Sequence, residues 1–98
     1  MYYTYIPADE TDRFLYVGVT NCLARRIEEH KTHTGNSYTK RYHIYKPVYY
    51  ECFEDVRNAI MREKQLKRWS RDKKDMLITR KNPDWLDLTD QIIADQNA

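Results

Sequence analysis

The chain has 98 residues, 41% of them hydrophobic and 33% charged, with 2 glycines and 3 prolines. That length leaves no room for a second core, the composition excludes a disordered polymer, and no apolar run nears the roughly 20 residues of a membrane span. The net charge of +2 divides unevenly: residues 82–98 hold four Asp and no Lys or Arg, while residues 1–81 hold 17 basic against 11 acidic groups. A basic body of this kind suits a phosphate backbone, although a solvated helix face would account for the same charges.

Tyr2 to Ile6 is rich in β-formers and predicts a strand with Tyr3 and Tyr5 on one face. Pro7 to Asp12 predicts a turn and Arg13 to Val19 a second strand, closing a hairpin. Asn21 is placed to cap a helix from about Cys22 to Thr32, with Leu23, Ile27 and His30 at helical spacing. Thr34-Gly35-Asn36-Ser37 breaks that helix, and Ser37 can cap a short turn through Tyr42. Val48 to Phe53 predicts a third strand, Asp55 caps a long helix to about Trp69, and a further helix spans Arg71 to Arg80, stopped by Asn82-Pro83. The tail from Asp84 to Ala98, acidic over 88–98, has apolar points at Trp85, Leu88, Ile92 and Ile93 and packs as a short helix or frays. The order β-β-α-β-α-α predicts an α+β fold: a three-stranded, mostly antiparallel sheet flanked by helices, in one domain over 1–98 with its core over about 2–87.

The first residues lack the charged-then-apolar build of a secretory signal, so a cytoplasmic protein with Cys22 and Cys52 as reduced thiols is expected. A zinc site from Cys22, His30, His33 and Cys52 matches no known ligand spacing.

Four features carry chemistry. Tyr16-Val17-Gly18 puts a phenol beside backbone with no side chain to block a ligand, though such a tripeptide also serves as an ordinary strand end. Arg26 and His30, four apart, share a helix face. Arg26 can fork onto a phosphate, or Arg25 and Arg26 can pair at the surface with Glu28 and Glu29. Glu63 lies on or beside an inward stripe of Val56, Ala59, Ile60 and Leu66, where a carboxylate needs an arginine, a lysine or a metal ion opposite it. The bland alternative is a surface Glu63–Lys67 pair worth about 0.3–0.5 kcal/mol. Finally, the nine tyrosines include Tyr5 and Tyr16, which the hairpin places on adjacent strands with their phenols able to face each other.

Together these features resemble the GIY-YIG nuclease family, and most closely its short bacterial single-domain members. Tyr3-Thr4-Tyr5 stands where the family has Gly-Ile-Tyr, and Tyr16-Val17-Gly18 stands for Tyr-Ile-Gly, with the two tyrosines eleven apart. Arg26 falls at the family's helix arginine, His30 at a histidine some members use, and Glu63, within Arg62-Glu63-Lys64-Gln65-Leu66-Lys67, at the metal-binding glutamate. Asn82-Pro83-Asp84-Trp85 matches a segment of the short members, and Asn82 loosely matches a late asparagine of some sites.

The resemblance implies a metal-dependent endonuclease hydrolysing phosphodiester bonds, DNA ahead of RNA, in repair, recombination or processing. By the same resemblance Glu63 holds one Mg²⁺ or Mn²⁺, Arg26 neutralises the transition state, and Tyr5 or Tyr16 positions and deprotonates water. His30 orients the site or assists proton transfer. Arg26, Lys64, Lys67, Arg68, Arg71, Lys73 and Lys74 are the candidate phosphate contacts. Two rivals are a non-catalytic nucleic-acid-binding module of the same fold and a protein-interaction domain using the tyrosines and the acidic tail.

Overall fold

The structure, a computed structural model, describes residues 1–32 and 37–96. Three strands, β1 (Tyr2–Ala8), β2 (Gly18–Thr20) and β3 (Lys46–Phe53), form a sheet in the order β2-β1-β3, antiparallel throughout. Five helices accompany it: α1 (Leu23–Lys31), α2 (Ser37–Arg41), α3 (Val56–Arg68), α4 (Arg71–Lys81) and α5 (Thr89–Gln96). The expected α+β class holds, with α2 and α5 added to the expected order. Among the described residues no helix is long and apolar enough to cross a membrane.

The central strand runs two residues beyond its expected end, through Pro7. A proline has no N–H for the ladder, and the register with β3 shifts between Ile6 and Pro7, where Pro7 faces Pro47. The hairpin return differs more. Arg13 to Val19 was expected to be a strand, but only Gly18–Thr20 is one, with an isolated bridge between Ala8 and Leu15. Asp9 is the reason: its buried carboxylate accepts from the backbone N–H groups of Thr11, Arg13 and Phe14 and from the Thr11 hydroxyl. A carboxylate that gathers three nearby N–H groups curls the chain into a loop and leaves them unavailable for pairing.

Side chains alternate across β1 and divide the interior. Tyr5 packs with Leu23 and Ile27 of α1 and Ile92 of α5. Ile6 and Ala8 pack on the other face with Val17, Val48, Leu66 of α3 and Ile78 of α4. Thr4, on that second face, donates from its hydroxyl to the Ala59 carbonyl at 2.7 Å and so fixes α3 against the central strand.

Of the two helix caps expected from sequence, the one at Asp55 holds and the one at Asn21 does not, and Ser70 supplies a further cap to which the sequence reading gave no role. Asp55 accepts from Arg57 N–H at the head of α3, and Ser70 accepts from Lys73 N–H at the head of α4. Asn21 does not cap α1; Cys22 holds the cap position without a side-chain bond, and the Asn21 side-chain Oδ1 accepts from the Arg25 guanidinium instead. The free Ala24 N–H is satisfied by the side chain of Gln96, from the far end of α5. The tail therefore forms a helix that covers α1, and Ile92 is 1% exposed.

Candidate active site

Tyr5 lies opposite Gly18 in the β1–β2 register. A Cβ on residue 18 would sit 2.7 Å from the Tyr5 Cζ and 2.8 Å from its hydroxyl oxygen, so the phenol lies across backbone that only glycine leaves open. From there the buried Tyr5 hydroxyl meets His30 Nε2 at 3.0 Å. Burial pushes the Tyr5 phenol far above its ordinary value, an effect the Arg26 charge only partly offsets. Tyr5 thus stays a phenol and a donor at neutral pH. Burial, with help from the Arg26 charge, pushes His30 down, against a weaker upward pull from Glu29. Hydrogen-bond logic then assigns a neutral imidazole accepting at Nε2 and carrying its proton on Nδ1. That buried Nδ1 has no protein partner among the described residues.

Arg26 stands on the same helix one turn before His30. Its Nε is 3.4 Å from Glu29, and Arg25 also reaches Glu29, at 3.6 Å. The surface pairing weighed from sequence therefore exists, but Arg26 is shared: its guanidinium also acts on Tyr5.

Tyr16 does not face Tyr5 across a hairpin, because its segment is loop rather than strand. It meets the site through His30, with ring centroids 6.4 Å apart in an edge-on arrangement. Its other neighbour is Lys67, whose ammonium lies 5.8 Å from the Tyr16 ring centroid and 3.3 Å from Glu63 Oε2.

Glu63 is carried by α3, on the opposite side of the sheet from α1. The stripe expected on α3 is corrected: Val56 and Ile60 are 37% and 36% exposed, and the buried residues are Ala59 and Leu66. Position 63 follows Ala59 by four and precedes Leu66 by three, so the carboxylate belongs to the buried stripe more firmly than the sequence suggested. Its side chain is 17% exposed, and Lys67 is its ion-pair partner. The Glu63–Lys67 pair is real and one-sided: its carboxylate is largely covered, while its ammonium is half-exposed. Tyr5, Tyr16, Arg26 and His30 thus adjoin directly, and Glu63 joins them through Lys67 beside the short edge strand β2.

Several candidate phosphate contacts fare differently. Lys64 and Arg68 are exposed on α3. Lys73 lies over the Trp69 ring, 4.4 Å from its centroid, and Lys74 is half-buried. Arg71 is occupied by structure: it bonds Asp75 at 2.7 Å and the carbonyls of Arg13 and Asp12, tying α4 to the Asp9 loop. Asn82 is likewise spent. Its buried amide donates to the carbonyls of Val48 and Leu86 and accepts from Leu86 N–H, closing the end of α4 onto β3. His33, part of the zinc arrangement set aside from sequence, lies outside the described residues.

Sequence reasoning overlooked Lys67 as a link between Tyr16 and Glu63. The only available signal was its i,i+4 spacing from Glu63, which reads equally as a surface pair. It also gave no place to Tyr38, whose ring lies 6.2 Å from Tyr16.

A family model described as the GIY-YIG catalytic domain matches residues 1–76, a span that includes all five of Tyr5, Tyr16, Arg26, His30 and Glu63. The UPF0213 protein CPE1444 of Clostridium perfringens is 40% identical over 82 residues, covering 84% of this chain and 87% of that one. A UPF0213 protein of Bacillus pumilus is 39% identical over 67 residues, 68% of each. Among solved structures, the solution NMR structure of the UPF0213 protein BH0048 from Bacillus halodurans superposes with a TM-score of 0.57 at 29% identity, covering 91% of this chain and 95% of that one. With both tyrosine motifs, the helix arginine and the α3 glutamate inside the matched span, the chain belongs to the GIY-YIG family.

Proposed function

We propose that this chain is a metal-dependent nuclease hydrolysing phosphodiester bonds of nucleic acid, DNA ahead of RNA, at the place where Tyr16 lies between His30 of α1 and Lys67 of α3. One observation carries the reading: an unbroken run of contacts from Tyr5 to His30, Tyr16, Lys67 and Glu63, with Arg26 beside the Tyr5 phenol.

The donor set fits one hard divalent cation. Glu63 offers a single inward carboxylate whose counter-charge, Lys67, sits on a half-exposed, flexible stem able to withdraw. Mg²⁺ and Mn²⁺ accept one carboxylate and complete their shell with water and substrate phosphate. Among the described residues no group of three or more His, Cys, Asp or Glu is placed to hold an ion, and Glu63 is the carboxylate offered to it. When bound, such an ion stabilises negative charge on the scissile phosphate and the leaving 3′ oxygen.

The remaining work falls to the chain. Tyr16, partly open to solvent and with Lys67 over its ring, holds the attacking water and, as phenolate, takes its proton. The water oxygen bonds to phosphorus as the bond to the 3′ oxygen breaks. Tyr5 stays protonated and locks His30, and His30 in turn sets the edge against which Tyr16 rests. Arg26 meets the phosphoryl oxygens as charge accumulates on them. Lys64 and Arg68 take flanking phosphates.

A panel of labelled single-stranded, duplex and branched DNAs, incubated with Mg²⁺, Mn²⁺ or EDTA, tests this. Product is expected only with metal, none from Glu63→Ala, and a rate about 10²–10³-fold lower from Arg26→Ala. A Glu63→Ala protein cutting as fast as the parent removes the metal-ligand role. Binding with no metal-dependent product moves the chain to the non-catalytic class.

A further inference from the structure

Four aromatic rings run away from the candidate site in a continuous line. Tyr16 lies 6.2 Å from Tyr38, Tyr38 lies 5.0 Å from Tyr42, and Tyr42 stacks on Phe14 at 4.5 Å with 30° between planes. Cations sit along the same line: Lys67 over Tyr16, Arg41 over Tyr42 at 5.5 Å and Arg13 over Phe14 at 5.8 Å. Tyr38 is 42% exposed, and Tyr42 and Phe14 are half-buried.

Packing alone does not call for this arrangement. Helix α2 has five residues, too few to hold itself, and what anchors it is the fully buried pair Thr39 and Ile44, joined by Ile44 N–H to the Thr39 carbonyl at 2.9 Å. The rings lie outside that anchor. Lys67 is paired with Glu63, but the two outer cations are not used in this way: among the described residues no ion pair involves Arg13 or Arg41. Partly open rings interleaved with unpaired cations suit a ligand that alternates flat apolar faces with negative charge. A strand of unpaired nucleotides has that build, whereas a duplex hides its base faces in its own stack.

We infer that Tyr38, Tyr42 and Phe14, with Arg13 and Arg41, form a stacking track for unpaired nucleotides beside the scissile phosphate, so that the substrate is single-stranded at the site. The position relative to the cut bond rests on the nuclease reading; the stacking does not.

The test is fluorescence anisotropy in EDTA, which removes cleavage from the readout. The probes are a labelled 12-nucleotide oligothymidine, the same length of duplex, and the same strand with abasic positions. Oligothymidine is expected to bind about tenfold more tightly than either other probe, and Tyr38→Ala is expected to lose about tenfold on oligothymidine while Tyr38→Trp keeps the affinity. Equal affinity of the unaltered protein for oligothymidine and the abasic strand overturns the track without relying on any variant. So does duplex binding as tight as single-strand binding, or a folded Tyr38→Ala protein of parental affinity. Discriminating single-strand binding without cleavage in Mg²⁺ or Mn²⁺ would retain the track and reject the nuclease reading. Metal-dependent cleavage by a protein indifferent to bases would do the reverse.

Discussion

Gly18 and Tyr5 show how little freedom the site leaves at the residue scale. The phenol needs the space of the missing Cβ, and once there it is buried, protonated and committed to His30. His30 therefore has a lower folded pKa than in the unfolded chain, where it titrates near the ordinary value of about 6.5. Over the window between those two values the unfolded chain binds more protons, so stability is full above about pH 6.5 and falls as pH drops through the folded value. Urea midpoints at pH 7.5, 6.5 and 5.5 should show the parent losing more stability on acidification than His30→Gln, with a difference of at most about 1.4 kcal/mol per pH unit. Parallel slopes for the two proteins would mean that His30 is as free to charge in the fold as out of it. The tyrosines and His30 could be singled out from type and spacing. Lys67 could not, because an i,i+4 Glu–Lys pair looks the same in sequence whether it lies in water or against Tyr16.

For the elements, propensity was informative wherever the local chain makes its own bonds. Asp55 and Ser70 cap their helices as their types suggest. The Asp9 loop shows the opposite outcome: Arg13 to Val19 has strand composition, but one buried carboxylate outbids the ladder for three N–H groups. Burial pushes the Asp9 carboxyl up, and the hydrogen bonds from Phe14, Thr11 and Arg13 outweigh it and hold it low. Asp9→Ala should cost about 3 kcal/mol, since charge-assisted bonds are worth about 1.5–3 kcal/mol and share one acceptor. It should also loosen Tyr16, whose N–H bonds the Pro7 carbonyl next to that loop. Urea denaturation measures the first effect and Tyr16 side-chain NMR linewidths the second; a loss under 1 kcal/mol would show the loop held by Arg71 instead. The α3 stripe was misjudged for a related reason. Val56 and Ile60 are apolar, yet the Thr4–Ala59 bond sets the roll of the helix, and that roll turns Glu63 inward.

Across the whole molecule, the tail decides more than its composition suggests. Helix α5 closes the Tyr5–Leu23–Ile27 cluster with Ile92 and supplies Gln96 to the first turn of α1, the helix that carries Arg26 and His30. Ile92→Ala should destabilise the protein by about 2–5 kcal/mol and, where the protein remains folded, lower amide-exchange protection in α1 more than in α3. Uniform loss of protection across both helices would show that α5 does not support α1 in particular.

The amino-acid order by itself determined the α+β class, the outer bounds of β1, β3, α1, α3 and α4 to within a few residues, and the tyrosine, arginine and glutamate motifs, but not the loop that replaces most of the expected second strand. Each of these rests on periodicity, caps or spacing within a short stretch. Tertiary structure alone decided that Gln96 rather than Asn21 completes the head of α1, that Arg71 and Asn82 are spent on backbone, and that Glu63 meets Tyr16 through Lys67. Those outcomes pair groups far apart in the chain or on opposite sides of the sheet. Such pairs form only once burial has made an unpartnered donor or charge too costly to leave alone.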